Sequence, residues 1–453
     1  MKSKRISVGL LNPWWWIPGI WIMLLGVYSL IFDVPKLNIL WYVFGWYGYL
    51  LILDAVIYYN QQDSFLTSRR RELLEMLFWS VPFWFLFEAY NFVIQNWYYV
   101  YAFKSDWQQG VFAWFSFATV LPACFFHAEL LKSCNVFTNI RARPIKVHKG
   151  LKQFFLYFGA LCISLPLIFP RYTFWMIWGA TLGVPDVINY YNGAPSILRD
   201  LERGRPGRLY RLLVGGMIAG LVWEGLNYWA RCKWIYTVPG LEEAKLFEMP
   251  IPGFLGFPIL AVEAFAFYSL LSHYLRGSRH WELRDREQLE KKASAAAPFA
   301  GLIAMGVSVV IFTGVLNITL QSRRPLLQEF DNVTVSEVQS FASRDIHTPE
   351  QLYDAVQHAS VESVAARTGV EAGLISQIWN QTSLALHKGM GVENAALLQS
   401  VGIEQVTDLI GADAGILHQK LSVYATKSGQ PAPRSAEVKV WIRAVELSGG
   451  TKR

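Results

Sequence analysis

A carboxylate and an amide, spaced to share one helical face, occur twice in this chain. Glu88 and Asn91 form the first pair, and Glu224 and Asn227 form the second, each near the end of a strongly apolar stretch. Residues three apart lie on the same face of a helix. Acidic and amide groups are costly inside a membrane and mark functional sites there. We therefore predict that each glutamate acts as a catalytic acid and that the asparagine of its pair positions it. The alternative is that both pairs only pack helices together.

Further chemical candidates recur beside these pairs. Asp54 and Asp186 each begin an Asp-x-x-x-Tyr-Tyr-Asn sequence, aromatic stretches follow both Glu–Asn pairs, and then a proline-containing segment with one acid appears twice. We predict the catalytic residues Glu88, Asn91, Glu224, Asn227, Glu129 and Glu263, and the substrate-binding residues Trp97, Trp234, Tyr98, Tyr236, Asp54 and Asp186. No metal or cofactor site is predicted, because the 4 cysteines and 8 histidines lack metal-ligand spacing.

These landmarks show that the chain contains an internal duplication. The aspartates are offset by 132 residues, the Glu–Asn glutamates by 136, and the later acids by 134, all in one order. Each copy holds four apolar segments, so both copies start on the same side of a membrane and form a parallel repeat. Equivalent residues then lie at equal depth. We expect the Glu–Asn pairs toward the extracytoplasmic end, the aspartates toward the cytoplasmic end, and Glu129 and Glu263 near mid-span.

The elements that must position these residues are membrane-spanning helices. The chain is 53% hydrophobic, 15% aromatic and only 17% charged, which excludes an ordinary soluble domain. A span needs about 20 apolar residues. Nine spans are predicted, at 14–32, 39–59, 73–93, 111–131, 152–169, 172–191, 211–229, 252–275 and 298–320. The predicted fold class is all-α: a helical bundle of two four-helix repeats plus one span, followed by a small all-α C-terminal domain.

Basic residues in the loops predict the orientation. The loops 1–13, 60–72, 132–152, 192–211 and 276–297 hold 23 lysines and arginines, whereas the opposite loops hold six. Because basic loops stay in the cytoplasm, the N-terminus is expected there and the C-terminal domain outside it. The expected location is a bacterial inner membrane. Without the ninth span, the C-terminal domain would instead lie inside the cell.

The segment after residue 320 differs in composition and suggests a helical interaction domain. Its sequence Lys388-Gly-Met-Gly391, followed by Gly402, has the form of a helix-hairpin-helix. Such hairpins can hold a DNA phosphate, but this segment carries 12 basic against 14 acidic residues, so nucleic acid is not the expected partner. A protein partner is expected. The predicted domains are 1–138, 139–280, a linker with the ninth span at 281–325, and 326–453.

Two family resemblances follow from these residues. Residues 337–447, with Val438, Trp441 and Ala444 near their end, resemble the helix-hairpin-helix-like DUF4332 family, which implies no activity. The membrane region resembles the integral-membrane lycopene cyclases in the order of Glu224, the Lys233-Trp-Ile-Tyr236 stretch and the Pro258-to-Glu263 segment. That resemblance implies acid-initiated chemistry on an isoprenoid. It departs in having glutamate where the family usually has aspartate, and one glutamate where the family has two.

Three functions are compatible with this sequence. The first is an enzyme that protonates an apolar isoprenoid or lipid through a buried acid, with aromatic faces stabilising the cation. The second is a non-enzymatic membrane scaffold whose residues 326–453 bind a protein. The third is a proton-coupled transporter that uses the membrane carboxylates. Lipid analysis, a pull-down and vesicle uptake would separate them.

Overall fold

The computed structural model describes residues 13–238, 244–277, 279–284, 292–330 and 332–449. The basic residues Lys2, Lys4 and Arg5 lie outside this range. The described chain is predominantly helical, which confirms the predicted all-α class. Its strands are all short: β1 at Trp97–Val100, β2 at Lys233–Tyr236, β3 at Lys245–Leu246 and β4 at Met249–Pro250.

The membrane region contains the first thirteen α-helices. They are α1 Trp16–Ile31, α2 Trp41–Gln61, α3 Phe65–Ser68, α4 Arg70–Ile94, α5 Asp106–Phe117, α6 Val120–Ser133, α7 Lys149–Ile168, α8 Pro170–Thr173, α9 Gly183–Tyr191, α10 Ile197–Glu202, α11 Gly207–Trp229, α12 Gly256–Leu275 and α13 Ala297–Gly314. Short 3-10 segments occur at Asn38–Leu40, Phe174–Gly179 and Ile251–Leu255, and a π-turn occurs at Val315–Thr319.

Seven helical segments in the described chain are long and apolar enough to cross a membrane. They are Asn38–Gln61, Arg70–Ile94, Asp106–Ser133, Lys149–Ile168, Gly207–Trp229, Ile251–Leu275 and Ala297–Thr319. The first predicted span is shorter than expected, since α1 has 16 residues. The sixth is broken into α8, a 3-10 segment and α9, where Gly179, Gly183 and Pro185 interrupt a regular helix.

The loops sort to two ends of the bundle. The basic loops contact one another through Asn60 and Ser133 at 3.0 Å, through Ala142 and Gly204 at 3.1 Å, and through Arg208 and Glu282 at 2.7 Å. We call this the basic end. The opposite end carries β1 and β2, and we call it the strand end. Helix α13 begins at the basic end, where Ser294 N donates to Leu275 O, and its continuation reaches the strand end, where Gln321 N donates to Tyr99 O. The C-terminal domain therefore lies at the strand end.

The first two helices of each repeat meet at a glycine pair. A Cβ on Gly19 would lie 2.8 Å from the carbonyl oxygen of Gly48, so α1 and α2 approach closely. A Cβ on Gly183 would lie 2.9 Å from the Cα of Gly159, which brings α9 equally close to α7. Small residues allow such contacts between helices in a membrane. Close glycine contacts thus occur between the first two helices of both predicted repeats.

The C-terminal domain has two small hydrophobic cores. Its helices are α14 Val335–Ala342, α15 Pro349–His358, α16 Val361–Thr368, α17 Ala372–Leu386, α18 Gly391–Ser400, α19 Ala414–Ser428 and α20 Ser435–Gly449, with 3-10 segments at Leu327–Glu329, His387–Gly389 and Val406–Leu409. One core is centred on Phe341 and Ile375, and the other on Leu398 and Trp441. Helix α17 connects them, with Ile375 in the first core and Leu384 in the second.

Candidate functional site

An antiparallel strand pair joins the two repeats at the strand end. Strand β1 follows α4 and β2 follows α11, with Trp97 opposite Tyr236 and Tyr99 opposite Trp234. A two-fold axis through the middle of the pair exchanges the two tryptophans and the two tyrosines. In a parallel repeat, the two copies are related by a two-fold axis along the membrane normal. Such an axis makes two equivalent strands that lie in the membrane plane antiparallel.

Each asparagine of the Glu–Asn pairs holds the strand that follows its own helix. Asn91 Nδ2 donates to Trp97 O at 2.9 Å, and Asn91 Oδ1 accepts from Trp97 N at 3.3 Å. Asn227 makes the same two bonds with Trp234, at 3.0 and 3.1 Å. Both asparagines are fully buried. Their amides therefore satisfy strand backbone groups, whereas the sequence led us to expect them to orient the glutamates.

The two glutamates accept hydrogen bonds from aromatic side chains. Oε1 of Glu88 accepts three, from Trp84 Nε1 at 2.8 Å, Trp97 Nε1 at 3.2 Å and Tyr99 Oη at 2.6 Å. Oε1 of Glu224 accepts from Tyr236 Oη at 2.8 Å. In both residues Oε2 is buried and has no hydrogen-bond partner among the described residues. Each carboxyl group thus keeps one oxygen for a proton or a further partner.

The tyrosine hydroxyls that face these carboxyl groups stay protonated. Burial, reinforced by the Glu88 carboxyl, raises the pKa of Tyr99 well above its usual range. Burial and the Glu224 carboxyl do the same to the pKa of Tyr236. A phenol in its neutral form keeps its hydrogen to donate. Both tyrosines are therefore constant donors at neutral pH.

Strand alternation sends neighbouring aromatic residues to opposite faces. Trp97 and Tyr99 belong to the membrane-region core, whereas Tyr98 packs in a separate cluster with Ile235 and Val440. Successive side chains of a strand point to opposite sides. Tyr98, which we predicted to bind substrate, therefore faces the C-terminal domain. Tyr99 was missed, although the Trp-x-Tyr spacing at Trp97 repeats in β2 and could have identified it.

A cavity of about 650 Å³ opens beside the strand pair, and we call it the apolar cavity. Trp97 and Tyr236 form its wall on the strand side, and Trp178, Leu182 and Ile259 contribute to the rest. Aromatic and aliphatic side chains dominate the lining. Pockets for small ligands have volumes of about 300–1,000 Å³ and mostly apolar walls. This cavity fits that description, and the broken sixth span provides one side of it.

The symmetry-related position is almost filled. There, Tyr99 and Trp234, the symmetry mates of the strand-side wall, border a cavity of about 30 Å³. Helix α5 contributes Phe112 and Phe117 to this smaller cavity. At the related place in the second repeat, the described residues form the short strands β3 and β4 and the 3-10 segment Ile251–Leu255. Helix α5 nearly fills the position in the first repeat. The shorter described elements of the second repeat leave the related position open.

Glu263 lies directly behind the wall of the apolar cavity. Its Oε1 accepts from the backbone N of Thr181 at 2.9 Å, and its Oε2 has no hydrogen-bond partner in the described ranges. Leu182, next to Thr181, and Ile259, one turn earlier on α12, both line the cavity. Three of the predicted acids are therefore hydrogen-bonded next to this cavity. Glu88 and Glu224 accept from the wall residues Trp97 and Tyr236, and Glu263 accepts from Thr181, the neighbour of a wall residue.

Glu129 does not join this group. Its carboxylate lies 3.1 Å from Arg69 Nη2 and 3.3 Å from Lys132 Nζ, and Gln61 Nε2 donates to it at 2.8 Å. It belongs to the basic end and not to mid-span, because α6 ends at Ser133, one turn later. Two cations and one amide therefore surround this carboxylate. This contact suits a structural role.

Asp54 and Asp186 hold short helices in the basic loops. Asp54 Oδ1 accepts from the backbone N of Phe65 at 2.9 Å and of Leu66 at 3.2 Å. Asp186 accepts from the backbone N of Ile197 at 2.8 Å and of Leu198 at 2.9 Å. Each aspartate thus caps the first turn of α3 or α10, which starts eleven residues later. Within the described chain neither residue lines the apolar cavity, where we had predicted substrate-binding roles for them.

The C-terminal domain docks on the outer face of the strand pair through its hairpin turn. Gly389 has a φ of +69°, and a Cβ there would lie 2.4 Å from the Val100 side chain. Ser322 Oγ donates to the carbonyl oxygen of Gly389, and Lys388 Nζ lies 3.1 Å from Glu248. The turn that could hold a phosphate in other helix-hairpin-helix proteins is therefore occupied by the protein's own membrane region.

This hairpin and the two helical cores of the C-terminal domain agree with the family comparison. Residues 332–446 match DUF4332, a domain of unknown function. The DUF4332 region is about a quarter of the chain, and its predicted resemblance is confirmed. Neither a curated protein nor a solved structure matches the chain. The cyclase resemblance of the membrane region therefore stays a prediction.

Proposed function

We propose that the membrane region binds an apolar molecule of the isoprenoid or acyl-lipid class in the apolar cavity. The observation that carries this proposal is the cavity of about 650 Å³ beside Trp97 and Tyr236, with its aromatic and aliphatic lining. Removing apolar surface from water or from less complementary surroundings favours binding in such a site. Tyr236, with its hydroxyl fixed by Glu224, supplies a polar group that orients the ligand.

Filling the cavity is expected to weaken this binding. Ile259 lines the cavity, so the larger side chain of Ile259→Trp would occupy ligand volume. Overfilling a packed apolar site costs about 1–3 kcal/mol, which corresponds to a loss of roughly fivefold to 150-fold in affinity. The measurement is equilibrium binding of radiolabelled geranylgeraniol to the full-length protein in detergent micelles, together with mass spectrometry of lipids that stay bound during purification.

A matched variant separates binding from general damage. Ile303 lies on α13 and is 67% exposed on the bundle surface, so Ile303→Trp adds the same bulk away from the cavity. Binding should be unchanged in this control. Equal binding by both variants and the natural protein, or no binding by the natural protein to either isoprenoid or acyl-chain probes, would contradict the proposal.

A second candidate function is acid-initiated isomerisation or cyclisation of the bound molecule. Glu224 favours it, because its Oε2 is free of partners in the described chain while its Oε1 contacts Tyr236 on the cavity wall. In this reaction the Tyr236 hydroxyl would turn toward the cavity, give its proton to an alkene carbon and take a proton from the neutral Glu224 carboxylic acid. The carbocation would then lose a proton from a neighbouring carbon, which restores the acid. The faces of Trp97 and Trp178 would stabilise the cation.

The Glu224→Gln variant tests this chemistry apart from binding. Glutamine keeps the size and can still accept from Tyr236, but it carries no acidic proton. We expect ligand binding within about twofold of the natural protein and at least a hundredfold less product, in line with the usual contribution of general acid catalysis. Lipids extracted after expression in a carotenoid-producing bacterium would be compared by chromatography. Identical product profiles for both proteins would exclude the reaction and leave the binding proposal intact.

We also propose that the basic end faces the cytoplasm of a bacterial cell and that the DUF4332 region lies on the opposite side. The excess of lysine and arginine in the basic loops supports this orientation. In that arrangement the apolar cavity belongs to the outer half of the membrane. A protein partner of the DUF4332 region would then be extracytoplasmic and would use a surface other than the docked hairpin.

A further inference from the structure

A second cavity lies between the membrane region and the DUF4332 region, and we call it the junction cavity. It has a volume of about 820 Å³ and is separate from the apolar cavity. One side is apolar and is formed by the last turn of α1 and the end of α11. The other side carries charged residues from both regions of the protein, namely Arg231, Lys233, Glu248 and Lys388.

The charged side has more cations than anions. Lys233 Nζ lies 2.9 Å and Lys388 Nζ 3.1 Å from the carboxylate of Glu248, so two ammonium groups share one acid. Glu248 itself is only 2% exposed, whereas the lysine side chains are 17% and 28% exposed. Arg231 is paired with Asp33 at 3.3 Å and remains 40% exposed. Lys233 Nζ also donates to Tyr228 O at 3.2 Å. Each ammonium group has three donors, so one carboxylate and one carbonyl do not use all of them.

The pKa values of Lys233 and Glu248 respond to burial and to the neighbouring charges. Burial lowers the pKa of Lys233, Glu248 opposes this change, and the neighbouring Lys388 reinforces it. Burial alone would raise the pKa of Glu248, but the two ammonium groups outweigh it and lower that pKa. Glu248 is therefore charged at neutral pH and is already shared. A further anion would relieve the repulsion between the two lysines.

We expect the apolar side to lie at the depth of lipid head groups. Ile31 at the end of α1 is 71% exposed, and Trp229 at the end of α11 is 64% exposed. Both residues line the cavity, each at the last residue of an apolar helix. Tryptophan is enriched at the membrane–water boundary in membrane proteins. A molecule in the junction cavity would thus meet cations on one side and hydrocarbon on the other.

We propose that the junction cavity binds an anionic lipid, with its phosphate between Arg231, Lys233 and Lys388 and its acyl chains along α1 and α11. The exposed apolar residues beside the cations favour a lipid over free phosphate. Because Lys388 belongs to the DUF4332 region and the other two cations belong to the membrane region, the lipid joins the two. Basic residues near a membrane surface attract anionic lipids in this way.

The test measures binding of phosphatidylglycerol to the full-length protein in nanodiscs of phosphatidylcholine, with an acyl-labelled fluorescent phosphatidylglycerol as the probe. Each cation contributes a factor of roughly five to affinity at a membrane surface, so Lys388→Gln should weaken binding about fivefold. Glu248→Gln should strengthen binding by a similar factor, because it removes the competing carboxylate. A purely structural ion pair would instead make both variants bind less well.

Two further arms complete the experiment. Lys420→Gln changes an exposed lysine of the DUF4332 region that is not part of the junction cavity, and it should leave affinity unchanged. Soluble glycerol phosphate should compete only weakly. The proposal is overturned if phosphatidylcholine and phosphatidylglycerol bind equally, if Glu248→Gln binds less tightly, or if glycerol phosphate binds as tightly as the lipid.

Discussion

Replacing Arg276 by methionine should lower the free energy of unfolding by about 3–5 kcal/mol, the range for breaking a buried ion pair. Arg276 Nη1 and Nη2 donate to the two carboxylate oxygens of Glu72, at 3.1 and 2.5 Å, and both side chains are at most 3% exposed. The pair joins the start of α4 to the end of α12, and so links the two repeats at the basic end. The loss would be measured by chemical denaturation in detergent micelles.

A double variant distinguishes the lost pair from a general packing defect. In Arg276→Met alone, Glu72 keeps a bond from Tyr268 Oη at 2.7 Å but has lost its main counter-charge. Adding Glu72→Gln removes the buried negative charge, and stability should recover by more than half. If the double variant were as unstable as the single one, the ion pair would not be the source of the effect.

Replacing Gly389 by alanine should detach the DUF4332 region from the strand pair. The φ of +69° disfavours any side chain by about 1–2 kcal/mol. A Cβ would also lie 2.4 Å from Val100, and overpacking of this kind costs about 1–3 kcal/mol more. We expect much faster hydrogen exchange at the amides of Gln321 and Ala102, which bond to Tyr99 O and Ser322 O beneath the docked turn.

Gly402 provides a matched control within the same region. Its φ is +88°, so alanine meets similar backbone strain, but a Cβ there has no atom within 4 Å among the described residues. Gly402→Ala should weaken the helical core of the DUF4332 region without accelerating exchange at Gln321. Equal exchange in both variants would show that the contact with Val100 does not hold the region in place.

The helical architecture and the duplication could be predicted because their signals are local. Apolar stretches of about 20 residues stand out, and so do polar residues inside them. Glu88 and Glu224 were found in this way, and the structure places both behind aromatic residues that line the open or the filled cavity. The duplication was predicted from the nearly constant offset between the landmarks of the two copies.

The strands and the long-range partners could not be read from the same signals. Four β-forming residues after α4 form a strand only because β2 supplies its partner 133 to 139 positions later. That pairing decides that Tyr99, and not Tyr98, faces the glutamate. In the same way, Glu129 looked like a membrane acid because Arg69, its partner at 3.1 Å, lies sixty residues earlier. Contacts of this range depend on the assembled bundle.

The difference in volume between the apolar cavity and the smaller, symmetry-related cavity could not be predicted from hydropathy either. Helix α5 and the segment Ile251–Leu255 occupy related places, and both read as apolar. Only their three-dimensional course shows that Phe112 and Phe117 fill one position while the other stays open. Sequence symmetry predicted equal depth for equivalent residues, whereas the two related cavities have volumes of about 30 and 650 Å³.

The register of β1 against β2 has an evolutionary consequence. Trp97 pairs with Tyr236 as Tyr99 pairs with Trp234, so each strand presents the same edge to the other. Such a self-complementary contact is what identical subunits make in an isologous homodimer. One four-helix unit would therefore carry everything needed to pair with a copy of itself. Fusion of two such units would give the organisation of the present chain, in which one of the two related sites is open and the other is nearly filled.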